Sequence, residues 1–162
     1  VTPDQIRQVV RDFLEFFESG AGSEEANLER LCYLLDHLAV TYHYLGDPFD
    51  ERALPDPPPV DYNSMRAQAC KLFPDFGFYN EVADCSVNIA DTGFTLGDAI
   101  DDLADIARDL NETEWCWQNN SEADGMWHLK FTLENHAGNH MRRLQYYLVR
   151  RRRELQLDPR AD

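Results

Sequence analysis

The stretch Asp98-Ala99-Ile100-Asp101-Asp102-Leu103-Ala104-Asp105-Ile106-Ala107-Arg108-Asp109-Leu110 decides the fold. Turned at 100° per residue, Asp101, Asp102, Asp105 and Asp109 fall within about 60° of Asp98. Leu96, Ile100, Leu103, Ala107 and Leu110 gather on the opposite side. A strand would alternate every second residue; this pattern has the helical period and two chemically distinct faces. Thr95, with an acid three residues later at Asp98, is expected to cap a helix that runs to about Leu110.

Outward from this helix, the same signals recur. Toward the N-terminus, Thr2-Pro3-Asp4-Gln5 reads as a capping box with proline at the first helical position. Ile6, Val9, Val10, Phe13, Phe16 and Phe17 follow at helical spacing, and Gly20 and Gly22 stop them. Ser23 opens a second helix whose apolar face is Leu28, Leu31, Leu35, Leu38 and Tyr42. Residues 46–61 contain five prolines, which excludes a helix or a central strand and predicts a long crossover loop. A short helix is predicted over Asn63–Leu72, ended by Pro74. In residues 74–94, Tyr79, Val82, Val87 and Ile89 fit neither period, and no clear strand alternation is visible. On the C-terminal side, residues 111–120 read as a loop with Trp115 and Trp117. Ser121, followed by Asp124, caps a last helix that could reach Arg153, weakened at Gly125 and Gly138. Trp115, Trp117, Trp127 and Phe131 read as packing residues. The expected fold is all-α: a single-domain helical bundle over 1–162, with four to six helices and one long Pro-rich loop.

Composition bounds the function. In 162 residues, 30 Asp and Glu face 15 Lys and Arg, a net charge of −15. The charge is uneven, with −18 over residues 1–130 and +3 over 131–162, where all seven basic residues are arginine. The Arg-rich helix end, about residues 142–160, reads as a counterweight to the acidic body. An acidic body argues against nucleic acid and against an anionic membrane surface. With 43% hydrophobic residues the chain can build a core. Cys32, Cys70, Cys85 and Cys116 form no C-x-x-C pair, and a reducing, cytoplasmic setting is expected.

Five carboxylates on one helical stripe repel one another, which invites an explanation. The stripe can be a solvated face relieved by Arg108. It can meet a basic partner surface, or an internal arginine such as Arg142 or Arg143. Or Asp102 and Asp105, with Asp98 or Asp109, can hold Mg²⁺ or Mn²⁺ as hard oxygen ligands. Asp102-Leu103-Ala104-Asp105 looks like half of the paired acidic motif of all-α nucleotide pyrophosphohydrolases. The other half, an E-x-x-E on an earlier helix, is replaced by Glu25 and Glu29, four apart.

His136 and His140, also four apart, share one helix face beside the stripe Met126, Leu133, Ala137, Met141, Leu144 and Leu148. Two imidazoles at this spacing can reach one ion, or can be core histidines bonded to carboxylates. Neither H-E-x-x-H nor E-x-x-H is present, and there is no phosphate loop or G-x-S-x-G elbow. If the two long helices pack, Asp102 or Asp105 meets His136 or His140.

Asp101–Leu110, Trp127, Phe131 and His136-Ala137-Gly138-Asn139-His140 together resemble a bacterial family of domains of unknown function. Its members carry a D-D-L-A-D-I-Y-R-D-L helix, an aromatic-rich helix and an H-W-G-x-H signature. The likeness spans roughly residues 25–150 and is strongest over 96–147, departing at Ala107 and Ala137, where the family has Tyr and Trp. It implies a compact cytoplasmic all-α domain with no assigned activity. It also groups Asp102, Asp105, Arg108, His136 and His140 as a unit.

Two functions are therefore expected. The first is a non-enzymatic acidic binding module, an adaptor or immunity-type inhibitor of a basic partner protein, without a cofactor. It would use Asp98, Asp101, Asp102, Asp105, Arg108, Asp109, His136 and His140. The second is a hydrolase of phosphoanhydride-type substrates dependent on Mg²⁺ or Mn²⁺, with Asp102, Asp105, His136 and His140 at the metal.

Overall fold

Thr2 and Ser23 open the first two helices as the sequence indicates. In the computed structural model, which describes residues 1–82 and 93–157, α1 spans Pro3–Ser19 and α2 Glu24–Thr41. The Thr2 side chain accepts from the Gln5 N–H, and the Gln5 side chain accepts from the Thr2 N–H at 2.8 Å. Gly20 ends α1 at φ 71°, a conformation that favours glycine. A 3-10 turn, Tyr42–Tyr44, leads into the proline-rich segment, which carries neither helix nor strand between residues 45 and 61. Asp61 caps α3, Tyr62–Leu72.

Three further helices complete the bundle: α4 at Ala99–Asn119, α5 at Glu122–Asn135 and α6 at Ala137–Leu157. Among the described residues there are six α-helices, the upper end of the expected four to six, and the all-α reading holds. Helix α4 is the axis, in contact with α1, α3, α5 and α6. Its face of Ile100, Leu103, Ala107 and Leu110 packs into one core with Phe13, Phe17, Leu31, Leu35, Leu129 and Leu144. Each such leucine, isoleucine or phenylalanine side chain contributes about 1.5–3 kcal/mol by leaving water. The guanidinium of Arg7 makes a two-pronged contact with the Glu114 carboxylate, and Arg11 adds a third bond at 3.0 Å, tying α1 to α4.

The sequence reading fails in four places. Residues 74–94 hold one strand and the start of another, paired antiparallel as a hairpin, β1 at Phe78–Val82 with β2 at Phe94–Asp98. Val87, Ile89 and Cys85 lie outside the described residues. The hairpin alternates in the reverse sense. Phe78, Val82, Phe94 and Leu96 point to solvent, whereas Tyr79, Glu81 and Gly97 face the helices. An apolar outer face and a polar inner face hide the usual strand signature.

Second, Thr95 and Leu96 belong to β2, and Asp98 is the true cap of α4, its carboxylate accepting from the N–H groups of Ile100 and Asp101. Third, residues 111–120 are not a loop. Helix α4 continues through them because Thr113, Cys116 and Trp117 extend its buried face. The Trp117 indole rests against Gly125, where a Cβ would lie 2.2 Å from the ring. Trp127 and Phe131 are not core residues either: they are 43% and 50% exposed and stack on each other.

Fourth, the last helix is two helices that break at His136. Gly138 sits so close to the end of α5 that a Cβ would lie 1.8 Å from the Leu133 carbonyl oxygen. The His136 carbonyl takes the N–H of Asn139 at 2.9 Å, restarting the helix as α6. No described helix is long and apolar enough to cross a membrane.

Two outcomes follow from this packing. Gly138→Ala forces the α5–α6 corner apart and is expected to cost about 1–3 kcal/mol in urea unfolding. Burial works to raise the Glu114 carboxyl, but hydrogen bonds from Arg7, Gln118 and Arg11 outweigh it and hold the group below its ordinary 4.5. A depressed folded value adds stability above the unfolded pKa, and that stability is lost as pH falls through the folded value. Stability measured from neutral pH downward should therefore fall below about pH 4.5 in the wild type, and more shallowly in Glu114→Gln.

Candidate functional site: a histidine–carboxylate cluster on the central helix

The stripe of α4 does not face water. Asp102, Asp105 and Asp109 are 4%, 8% and 6% exposed, which overturns the solvated-face account. Burying a carboxylate is costly unless donors surround it, and each of the five has found them. At the start of the helix, Arg66 of α3 reaches Asp98 at 2.6 Å and Asp101 at 3.0 Å, while the Tyr62 hydroxyl donates to Asp101. The arginines that relieve the stripe are therefore Arg66 and Arg108. Arg108 was expected from the sequence, Arg66 was not, and the internal arginines suggested instead do not reach the stripe: Arg143 pairs with Glu81 of β1, and Arg142 is exposed on α6.

Farther along α4 the two histidines enter. Asp102 accepts from the Tyr79 hydroxyl and holds His140 Nδ1 at 2.7 Å. One turn on, Asp105 takes Arg108 Nη1 at 3.0 Å and lies 3.6 Å from His140 Nε2. One turn further, Asp109 accepts from the Thr132 hydroxyl and holds His136 Nδ1 at 2.8 Å. The imidazole rings are 4.7 Å apart between centroids. One ligand atom each from Asp105, His136 and His140 lies within 4.8 Å of the others.

This order assigns roles. A carboxylate facing Nδ1 makes that nitrogen the N–H donor and leaves Nε2 with the lone pair. Asp102 and Asp109 thus orient His140 and His136, and Asp105 offers an oxygen within 4.8 Å of a nitrogen of both. Arg108 Nη2 lies 3.3 Å from His136 Nδ1, a meeting of two donors and so not a hydrogen bond. Burial tends to lower the basicity of His140, but the bond to Asp102 and the charges of Asp102 and Asp105 prevail and raise it. Burial likewise pushes the Asp105 carboxyl up, against the opposing pull of His140 and Arg108.

A cleft of about 410 Å³ opens beside the cluster, with Arg108, Asp109, Glu112, His128, Phe131 and His136 on its walls. Burial, then the Asp109 charge, raises the Glu112 carboxyl, and burial lowers His128. The Thr113 hydroxyl lies 3.0 Å from His128 Nδ1.

The eight residues singled out from the sequence divide. Asp98 and Asp101 belong to the α3 contact, and Asp102, Asp105, Arg108, Asp109, His136 and His140 form the cluster. Asp102 is turned to His140 Nδ1 and Tyr79, so it stands behind the three groups whose ligand atoms converge. Glu25 and Glu29 are exposed on α2. Sequence reasoning missed Tyr79, Thr132, Arg66, Tyr62, Glu112 and His128. Thr132 precedes His136 by four residues and Tyr62 precedes Arg66 by four, so helical spacing could have found both pairs. Nothing in the sequence marked Tyr79.

Replacing Asp102 by Ala strands the Tyr79 hydroxyl and His140 Nδ1 in the interior, with an expected loss of about 3–5 kcal/mol. Asp101→Ala, at a side chain 43% exposed, should cost under about 1 kcal/mol. Urea unfolding of the two variants side by side checks the contrast.

Among solved structures, the chain is similar to protein BF1032 from Bacteroides fragilis. The TM-score is 0.71 at 15% identity, covering 98% of this chain and 94% of that one, a likeness of fold. No curated protein matches. The family model described as "Domain of unknown function (DUF5063)" matches residues 3–149, and the chain belongs to that family.

Proposed function

We propose that this domain is a divalent-metal-dependent hydrolase whose metal is held by Asp105, His136 and His140. The observation that carries the reading is the paired backing of the imidazoles. Each presents Nδ1 to its own buried carboxylate, at 2.7 and 2.8 Å, while a carboxylate oxygen of Asp105 lies within 4.8 Å of a nitrogen of each ring. Ligating histidines are characteristically fixed in this way through the other ring nitrogen. Two imidazoles and one carboxylate suit Zn²⁺, Mn²⁺ or Fe²⁺ better than Mg²⁺, which favours oxygen ligands.

Three protein ligands beside a cleft leave a coordination position for water, the arrangement of catalytic rather than structural zinc. Glu112, whose carboxyl burial raises and which lines the same cleft as His136, would be the group placed to accept a proton from a water that such a metal activated. The phosphoanhydride substrate draws no support from the cleft wall, because its arginine, Arg108, is already held by Asp105 and Asp109. An adaptor or inhibitor offering the stripe to a basic partner would need those carboxylates in solvent. Three of the five are buried, so that reading loses the surface on which it rested.

Thermal unfolding of chelator-treated protein, titrated with Zn²⁺, Mn²⁺ and Fe²⁺, tests the metal centre. A ligand that binds only the folded state raises the midpoint. The wild type is expected to show a saturable rise that Asp105→Asn abolishes, and Asp102→Asn should weaken metal affinity about 10–100-fold. No rise with any of the three ions, or a full rise in Asp105→Asn, overturns the assignment.

A further inference from the structure

The cleft beside the cluster has an unbalanced charge of its own, independent of any metal. Glu112 projects from α4 with its side chain 26% exposed, and among the described residues its carboxylate accepts no hydrogen bond. The nearest basic nitrogen, His128 Nε2, is 3.8 Å away, and burial of that imidazole favours its neutral form. Asp109 adds a second carboxylate to the same wall. Arg108, the one guanidinium among the cleft-lining residues, is engaged by Asp105 and Asp109 at 3.0 and 3.1 Å. A half-buried carboxylate without a partner is expensive, and a cation of suitable size would relieve it.

The lining of the same cleft supplies the other half of cation recognition. Phe131 lines it with half its surface exposed, and Trp127 stacks on Phe131 at 5.1 Å, fixing the ring. An aromatic face attracts an ammonium or guanidinium and packs against the methylenes next to it. Val60 and Pro59 extend this apolar side. The cleft's 410 Å³ is of small-molecule size.

We propose that this cleft binds a small molecule through an ammonium or guanidinium group, with Glu112 as its counter-charge and Phe131 as its aromatic wall. The cleft borders the proposed metal centre through His136 and shares Glu112 with it, but Glu112 and Phe131 are not metal ligands and the ligand needs no metal for recognition. Within the hydrolase reading it defines the substrate class as an amine rather than a phosphate ester.

Calorimetric titration of the full chain with agmatine, in the presence of chelator, tests this without recourse to the metal centre. Saturable one-to-one binding is expected, weakened about tenfold by Glu112→Gln and several-fold by Phe131→Leu. The second variant alters an exposed ring and safeguards the test if the first perturbs folding. Glu29→Gln, on the exposed face of α2, removes the same charge elsewhere and should leave binding unchanged.

Absence of saturable binding overturns the proposal, as does an equal loss in Glu29→Gln, which would mark diffuse attraction to an acidic body. Inorganic phosphate that competes with agmatine overturns it too. A lysine-rich peptide binding more than tenfold tighter than agmatine assigns the cation to a protein partner and overturns the small-molecule form. Failure of the metal titration leaves these outcomes untouched, and success there does not supply them.

Discussion

Three carboxylates buried on one face of the central helix set the terms for everything packed against them. Asp102, Asp105 and Asp109 follow one another at successive turns of α4, each under a tenth exposed. Taking a carboxylate out of water costs several kcal/mol unless hydrogen bonds replace the lost hydration. The hairpin, α5, α6 and Arg108 of α4 itself meet that demand with donors. The β-hairpin turns its polar face inward so that Tyr79 can reach Asp102. Helix α5 brings Thr132 and His136 to Asp109, and α6 brings His140 to Asp102. The hairpin's reversed polarity and the two-faced helix are thus one fact seen from two sides.

The same demand accounts for the break between α5 and α6. A single straight helix would carry His136 and His140 along one axis, one turn apart. The corner at His136 lets the two elements approach α4 differently, each delivering one Nδ1 to a different aspartate. Gly138 makes the corner sterically feasible by letting the Leu133 carbonyl approach its Cα closely.

What the sequence disclosed follows from where the information is local. Caps at Thr2, Ser23 and Ser121 were readable because side chain and backbone N–H lie three residues apart. The stripe of α4 and the spacing of His136 and His140 were readable because helical period is a property of one segment. Polarity, however, did not disclose burial: five aspartates on one face look the same in sequence whether they meet water or a hairpin. The inner residues of β1 and β2 were illegible for the complementary reason, since Tyr79 and Glu81 are polar because of partners far along the chain, Asp102 and Arg143. Residues 111–120 misled because asparagines and tryptophans are poor helix formers. Tertiary packing of Thr113, Cys116 and Trp117 overrode that preference.

A buried ionic network is poor evidence of stabilisation, because well-packed apolar residues of similar volume usually serve stability as well or better. That weighs on the meaning of the cluster. The contact between α3 and α4 could rest on Arg66 with Asp98 and Asp101 alone, near the surface where such pairs cost little. Holding three more carboxylates inside, with His140 largely buried and His136 half-exposed against them, serves packing badly and suits the proposed coordination chemistry. The hydrogen-bond pattern agrees in detail. Arg108 takes Oδ1 of Asp105, while Oδ2 is the oxygen nearer His140 Nε2. A divalent ion bound through Oδ2 leaves the Arg108 pair intact, so the carboxylate can ligate through one oxygen while the other stays fixed. The network that satisfies the buried aspartates is therefore compatible with the proposed centre, because Asp105 would keep its bond to Arg108 while the ion was held.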